Sequence, residues 1–293
     1  MDILILGGSG QLGQTVKDEL KDDFKLVCLS KSELSITNKS AVEAAINKFK
    51  PRFIINCSAY TKVELAEKES EEAHAVNYEG VKNLTEIAKL NKAALIHFST
   101  DYVFDGKKKS AYLEIDKANP INQYGLSKLK GEHYITKNID YFFIFRISGV
   151  YSHHGENFVK SMMKLKDKDE LAIVSDQIMK PSSAKFIANF LKINLLKNNF
   201  VKGNAGLYNL PSLGPEISWC DFAKLIFQEM LEQKLIIQIP KIIPILTKDY
   251  QSSVLRPKFS VLSGDKVKEK FILCNANYKE NLKLEINRIY QSL

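Results

Sequence analysis

Cysteine is scarce in this chain, 4 among 293 residues, and Cys28, Cys57, Cys220 and Cys274 form neither a C-x-x-C unit nor any paired spacing. Neither a thiolate zinc site nor a disulfide framework is therefore indicated. Histidine is nearly as rare, with 5 residues, and only His153 and His154 are neighbours. Adjacent side chains usually point apart, so this pair reads as surface loop, and no metal site is expected. Long hydrophobic runs are missing too. The apolar stretch "LIIQIPKIIPIL" (235–246) is short and broken by Pro240, Lys241 and Pro244, which excludes a membrane span. The N-terminus lacks the basic region and apolar core of a secretory signal. A cytoplasmic chain with no membrane partner is expected.

What is present is enough apolar material for a core: 45% of residues are hydrophobic, too many for a disordered chain. The net charge of +8 suits an anionic partner. It is scattered, however, and its densest run, Lys107 to Lys109, reads as a solvated loop. No basic face with interleaved aromatics appears, so nucleic acid is not expected, whereas a small phosphorylated ligand needs far less charge.

Through the first half, short apolar runs ("DILIL", "KLVCLS", "RFIINC", "AALIHFS", "YFFIFRIS") alternate with helical patterns such as "QLGQTVKDEL" and "SAVEAAINKF". Strand, helix, strand in repetition predicts an α/β fold with a doubly wound, Rossmann-type parallel sheet. Near-continuous hydrophobicity in the strands agrees with burial on both faces. After about Ser152 the alternation weakens. Helices are expected at 156–166, 183–197 and 218–232, with short strands near 171–174 and 206–209. No linker or repeat divides the chain. The expected organisation is a dinucleotide-binding domain over 1–152, to which later segments return, and a smaller, mainly substrate-binding α/β domain over 153–293.

The first strand runs directly into "GGSGQLG", which places Gly7, Gly10 and Gly13 at three-residue intervals ahead of a helix. Glycine there permits a tight turn, close approach of backbone N–H groups to a pyrophosphate, and close packing of helix on strand. Gln11 and Leu12 lie within the same loop and join the expected cofactor site. The second strand ends "VCLSKSELS", with Ser30 and Lys31 where an NAD-specific enzyme usually carries an acid. A hydroxyl and an ammonium suit a 2′-phosphate. NADPH is the expected cofactor, with NADH the less favoured alternative.

The fourth strand closes with Ser99 and Thr100 in "IHFSTDYVFDG", and "NQYGLSKLKGE" follows at the next helix, with Tyr124 and Lys128 four positions apart. A free phenol, with a pKa of about 10, is a sluggish acid–base group at neutral pH. A neighbouring ammonium favours the phenolate and should move that pKa down. Thr100 would serve as a second hydrogen-bond donor to a carbonyl oxygen. The spacing alone is cheap, since Tyr78 and Lys82 in "NYEGVK" repeat it, but no strand end precedes that pair at the same distance.

Together, the glycine loop, "STDYVFDG", "YGLSK" and "RISGVY" resemble the extended short-chain dehydrogenase/reductase family. "INCSAYTKVELAE", "HGENFVKSM", "VSDQIMKPSS" and "RPKFSVL" extend the likeness over nearly the whole length. The resemblance implies reduction of the C4 ketone of a nucleotide-linked 6-deoxy-4-keto-hexose, with Tyr124 as proton donor beside Thr100 and Lys128. It further implies that Thr100, Asp101 and position 149 face the sugar, that Ser58, Ala59 and Tyr60 line the cofactor, and that Ser35 and Ile36 lie by the adenine. The expected partners are a nucleotide sugar and, as an assembly, a homodimer. Three residues depart from the family pattern: Ser35 stands where aspartate is usual, Gly149 where tryptophan is, and Met179 where glycine is. Gly149 leaves a gap for Met179 or a bulkier sugar to fill; were it unfilled, Gly149→Trp should improve binding. A 4,6-dehydratase would need a glutamate after Asp101, where Tyr102 stands. A non-catalytic relative that keeps only the cofactor site is the rival of another class.

Overall fold

The computed structural model describes residues 1–274 and 276–291. In its first half, strands β1 (Ile3–Leu6), β2 (Leu26–Leu29), β3 (Phe53–Asn56), β4 (Ala94–Thr100) and β5 (Phe142–Ile147) alternate with helices. These are α1 (Gln11–Leu20), α2 (Lys39–Phe49), α3 (Ser70–His74), α4 (Val81–Leu90) and α5 (Gln123–Asn138). The second half contributes α6 (Phe158–Lys164), β6 (Glu170–Val174), β7 (Ile178–Met179), α7 (Ala184–Leu196) and β8 (Gly206–Asn209). It ends with β9 (Ile217–Ser218), α8 (Trp219–Glu232), β10 (Lys241–Ile245), α9 (Asp265–Lys270) and α10 (Tyr278–Gln291).

The main sheet is parallel throughout, in the order β2-β1-β3-β4-β5-β8. Its strands are buried on both faces because alternate side chains enter different cores. Ile3 and Ile5 of β1 join the layer containing Leu12 and Val16 of α1 and Phe186 and Phe190 of α7. Leu4 and Leu6 point the other way, toward Val42 and Ile46 of α2, Leu84 and Ile87 of α4 and Ile135 of α5. Each such side chain removed from water contributes about 1.5–3 kcal/mol, which fixes the register, since a one-residue slip would exchange the two faces. β1 sits between strands reached by crossovers in opposite directions. The cleft therefore opens beyond the carboxyl ends of β1 and β3, as doubly wound sheets require.

A smaller α/β layer is built by the second half. Parallel strands β6 and β10 and the short antiparallel pair β7–β9 surround a separate core of Met162, Met163, Phe222, Ile226, Phe227 and Ile286. The interrupted apolar stretch at 235–246 supplies β10, whose Pro244 pairs with Ile173. Among the described residues no helix is long and apolar enough to cross a membrane. The helix expected at 156–166 begins later, at Phe158, because the Asn157 side chain accepts from the Lys160 N–H and caps it there.

The histidine expectation needs correction. His153 and His154 do not diverge; their ring centroids lie 4.0 Å apart. Each ring is drawn to a carboxylate, His153 to the buried Glu285 (3.1 Å) and His154 to Asp18 (3.0 Å). Asp18, His153 and His154 consequently bring three ligand-type atoms within 4.8 Å of one another, a grouping that adjacency in sequence did not suggest.

Candidate active site

Two adjoining cavities occupy the cleft. The inner one, about 520 Å³, is lined by Thr100, Asp101, Tyr124, Lys128 and Gly149, and also by Gln11 and Leu12. The outer one, about 260 Å³, is lined by Gly7, Lys31, Ser35, Ile36 and Tyr60. Gly10, Cys57, Ser58, Ala59 and Thr61 border both, so the groove is continuous past the glycine loop.

The loop is glycine-dependent for steric reasons. Gly7 has φ +80°, and a Cβ there would come within 2.6 Å of the Ser58 backbone nitrogen; one at Gly13 would lie 2.3 Å from the Gly7 carbonyl oxygen. Gly13 lines neither cavity, so its contribution is the close packing of α1 on the loop. Gly10 caps α1 without any side-chain hydrogen bond, which leaves the first-turn N–H groups facing the groove as an anion site. Further in, the buried Ser99 hydroxyl lines the inner cavity with no hydrogen-bond partner. A continuous groove, an uncapped helix start and a spare buried hydroxyl fit a dinucleotide.

Ser30 stands apart from the other expected cofactor residues. Its backbone N–H and hydroxyl both donate to Glu33 (2.8 and 2.6 Å), and it lines neither cavity. Lys31 does line the outer cavity, exposed, 3.8 Å from Glu72. Tyr60 donates its hydroxyl to Glu69 (2.5 Å), and burial together with that carboxylate pushes its pKa up to about 12.

At the inner end, Asn122 caps α5 by accepting from the Gly125 N–H (2.8 Å), which places Tyr124 in the first turn and Lys128 one turn on. The Tyr124 ring packs edge-on against Tyr102, with centroids 5.8 Å apart. Burial pushes the Tyr124 phenol well up, more than its contact with the Thr100 hydroxyl offsets. This overturns the expectation that Lys128 would bring the phenol down. Lys128 is itself buried, which lowers its pKa to about 8, and its Nζ donates to the Phe98 carbonyl oxygen at 2.7 Å. The phenol is thus held protonated at neutral pH, the form a proton donor requires.

Thr100 and Asp101 are knitted together. The Thr100 hydroxyl donates to Asp101 (3.2 Å) and accepts from the Tyr102 N–H (3.2 Å). The Asp101 carboxylate also accepts from Ser148 (2.7 Å) and Ser260 (2.5 Å); burial nonetheless raises its pKa. Ser148 and Ser260 were not singled out in the sequence, and neither were Gln177, Phe158 and Trp219, which complete the inner wall. Phe158 and Trp219 form an aromatic pair with centroids 4.6 Å apart. No spacing rule marks these residues: the pairing of β4 with β5 sets Ser148 beside Asp101, and packing of the smaller layer on the sheet brings the others.

Gly149 has φ +53°, and a Cβ at that position would meet the Met179 sulfur at 3.2 Å and Pro181 Cα at 3.3 Å. Met179 therefore occupies the space left by the missing side chain. The pair Tyr78 and Lys82 lies outside both cavities. Tyr78 sits on a π-helical turn (Ala75–Gly80) against His74 and Tyr134, and Lys82 pairs with Glu79 at 3.7 Å.

A doubly wound sheet with its glycine loop, strand-end threonine and helical Tyr-x-x-x-Lys pair defines an oxidoreductase of the extended short-chain dehydrogenase/reductase class. The RmlD substrate binding domain family matches residues 1–291, and the chain belongs to that family, the dTDP-4-dehydrorhamnose reductases. It is 38% identical over 286 residues to the dTDP-4-dehydrorhamnose reductase of Aggregatibacter actinomycetemcomitans, covering 96% of this chain and 97% of that one. It is 33% identical over 269 residues to a spore coat polysaccharide biosynthesis protein of Bacillus subtilis, covering 91% of this chain and 90% of that one. The crystal structure of the Bacillus anthracis dTDP-4-dehydrorhamnose reductase in complex with NADP matches with a TM-score of 0.87 at 32% identity, over 100% of both chains.

Proposed function

We propose that this chain reduces the C4 ketone of a dTDP-linked 4-keto-6-deoxyhexose, with dTDP-4-dehydro-L-rhamnose as substrate and dTDP-L-rhamnose as product. NADPH supplies the hydride. The observation that carries the reading is the protonated, half-buried Tyr124 phenol beside Thr100 and Lys128, at the inner end of a groove that begins at the glycine loop.

The chain's own residues have distinct tasks in this reading. The Gly7–Gly13 loop and the start of α1 hold the pyrophosphate. Ser58, Ala59 and Tyr60 flank the dinucleotide, with Ser35 and Ile36 by the adenine and Lys31 near the 2′-phosphate; Ser30, bound to Glu33, supports the turn instead. Tyr124 donates its proton to the oxygen of the ketone as that oxygen gains charge. Lys128, in its ammonium form, stabilises the resulting phenolate. Thr100 orients the same oxygen once its hydroxyl turns from Asp101, which Ser148 and Ser260 continue to hold. Residues 1–152, together with α7 and β8, form the dinucleotide-binding part, and most of the remainder binds the sugar nucleotide in the cytoplasm.

One observation favours a second sugar within the same reaction type. Met179 fills the space beside Gly149, which reshapes the wall against which a deoxysugar ring would lie. Following NADPH consumption against a panel of 4-keto nucleotide sugars tests both readings. Turnover of the rhamnose precursor above all others supports the first, and preference for another 4-keto sugar the second. Cofactor binding with no turnover of any of them would make the chain a non-catalytic relative.

A further inference from the structure

His97 on β4 is fully buried and belongs to no step above, yet it touches Lys128. Three hydrogen bonds fix its chemistry. The Ser58 backbone N–H can only donate, and it donates to Asn56 Oδ1 at 3.0 Å. The Asn56 amide is thereby oriented, and its Nδ2 faces His97 Nδ1 at 3.0 Å. Nδ1 must then carry a lone pair, so the ring proton sits on Nε2, which lies 3.3 Å from Lys128 Nζ. An ammonium has no lone pair and would set donor against donor. An amine accepts from Nε2–H while it donates to the Phe98 carbonyl oxygen. A doubly protonated imidazole is excluded as well, because it would oppose the Asn56 amide.

We propose that His97, its tautomer fixed by Asn56, is a positioning residue that donates Nε2–H to Lys128 and favours the amine over the ammonium, so that cofactor binding is coupled to uptake of a proton by Lys128. A hydrogen bond to the neutral form disfavours the charged one, and the negative charge of a dinucleotide reverses that preference. The other ionisable groups facing Lys128 do not supply this bias. Glu132, on its own helix, raises its proton affinity and is shared with Arg146 of β5. Cys57 and Tyr124 are both pushed up by burial and stay neutral near pH 8. Burial is the main cause of the lowered pKa of both Lys128 and His97, and donation from Nε2–H acts on Lys128 in the same direction.

The inference rests on the NADPH reading, and the experiment separates the two. Calorimetric titration of the full chain with NADPH, in buffers of different ionisation enthalpy, gives both affinity and protons exchanged. With Lys128 titrating at about 8, the wild type should take up about half a proton at pH 8 and progressively more at pH 9. His97→Asn, which can keep the Asn56 contact and cannot reach Nζ, should bind NADPH with clearly smaller uptake at pH 8 than the wild type, the remainder reflecting the burial of Lys128. His97→Gln, whose amide reaches the Nε2 position, should restore most of it. Binding without proton uptake in the wild type, or equal uptake in His97→Asn, overturns the assignment of His97. No NADPH binding by the wild type overturns the cofactor reading itself. If His97→Asn does not fold, the wild type and His97→Gln decide: full uptake in the first and none in the second also contradicts the proposal.

Discussion

The two ends of the cleft are built on opposite terms. At the inner end Lys128, Thr100 and Asp101 are withdrawn from water and Tyr124 is half-buried, and burial moves the pKa values of Tyr124, Lys128 and Asp101. At the outer end Lys31 is exposed, and Ser30 is spent on Glu33. On the proposed function, the difference is between chemistry and choice. A proton donor needs a fixed, dry environment, where electrostatic effects are strong, whereas discrimination of a 2′-phosphate uses a solvent-screened charge worth little in free energy. Substitutions at the inner end should change rate or fold, and those at the outer end should change preference only slightly.

The sharpest break of that contrast is Tyr124→Phe. Turnover should fall by roughly 10²–10⁴, the usual worth of a positioned acid, while NADPH affinity measured by fluorescence titration stays the same. Next in size is the support beneath Lys128. Glu132 and Arg146 form a buried two-bonded ion pair (3.0 and 2.6 Å), so Glu132→Gln should cost about 3–5 kcal/mol of stability in urea unfolding. A change within about 0.5 kcal/mol would mean that the inner end does not depend on the pair.

Gly149→Trp tests the wall. The position has positive φ and its space is held by Met179 and Pro181, which reverses the expectation of improved binding. Backbone strain of about 1–3 kcal/mol and displacement of Met179 should lower kcat/KM at least several-fold. A gain on any 4-keto sugar would show that Met179 moves aside readily. The smallest effect is expected at the outer end, where Lys31→Glu should shift the ratio of NADPH to NADH affinity by roughly two- to fivefold with unchanged stability. A shift of a hundredfold would place Lys31 in a far less screened contact than its exposure implies.

How much was legible in the sequence follows the same division between local and assembled features. Strand periodicity, the glycine loop and the Tyr124–Lys128 spacing are local, and the sheet, its order of elements and the start of α5 follow from them. Ser148, Phe158, Gln177, Trp219 and Ser260 come from five separate stretches and meet only through tertiary packing. The direction of the Tyr124 shift is hidden from the sequence for a related reason: proximity to Lys128 is visible, but burial and the capture of Nζ by Phe98 and His97 are not. The convergence of His153 and His154 likewise depends on Asp18 and Glu285, each more than a hundred residues away in the chain.

Wild type and Tyr124→Phe can be compared with NADPH and dTDP-4-dehydro-L-rhamnose by counting both cofactor oxidation and sugar product. The wild type should form one C4 alcohol per NADPH oxidised, and the variant should lose roughly 10²-fold or more with cofactor binding intact. Equal turnover by the two proteins would contradict the role of Tyr124 as proton donor.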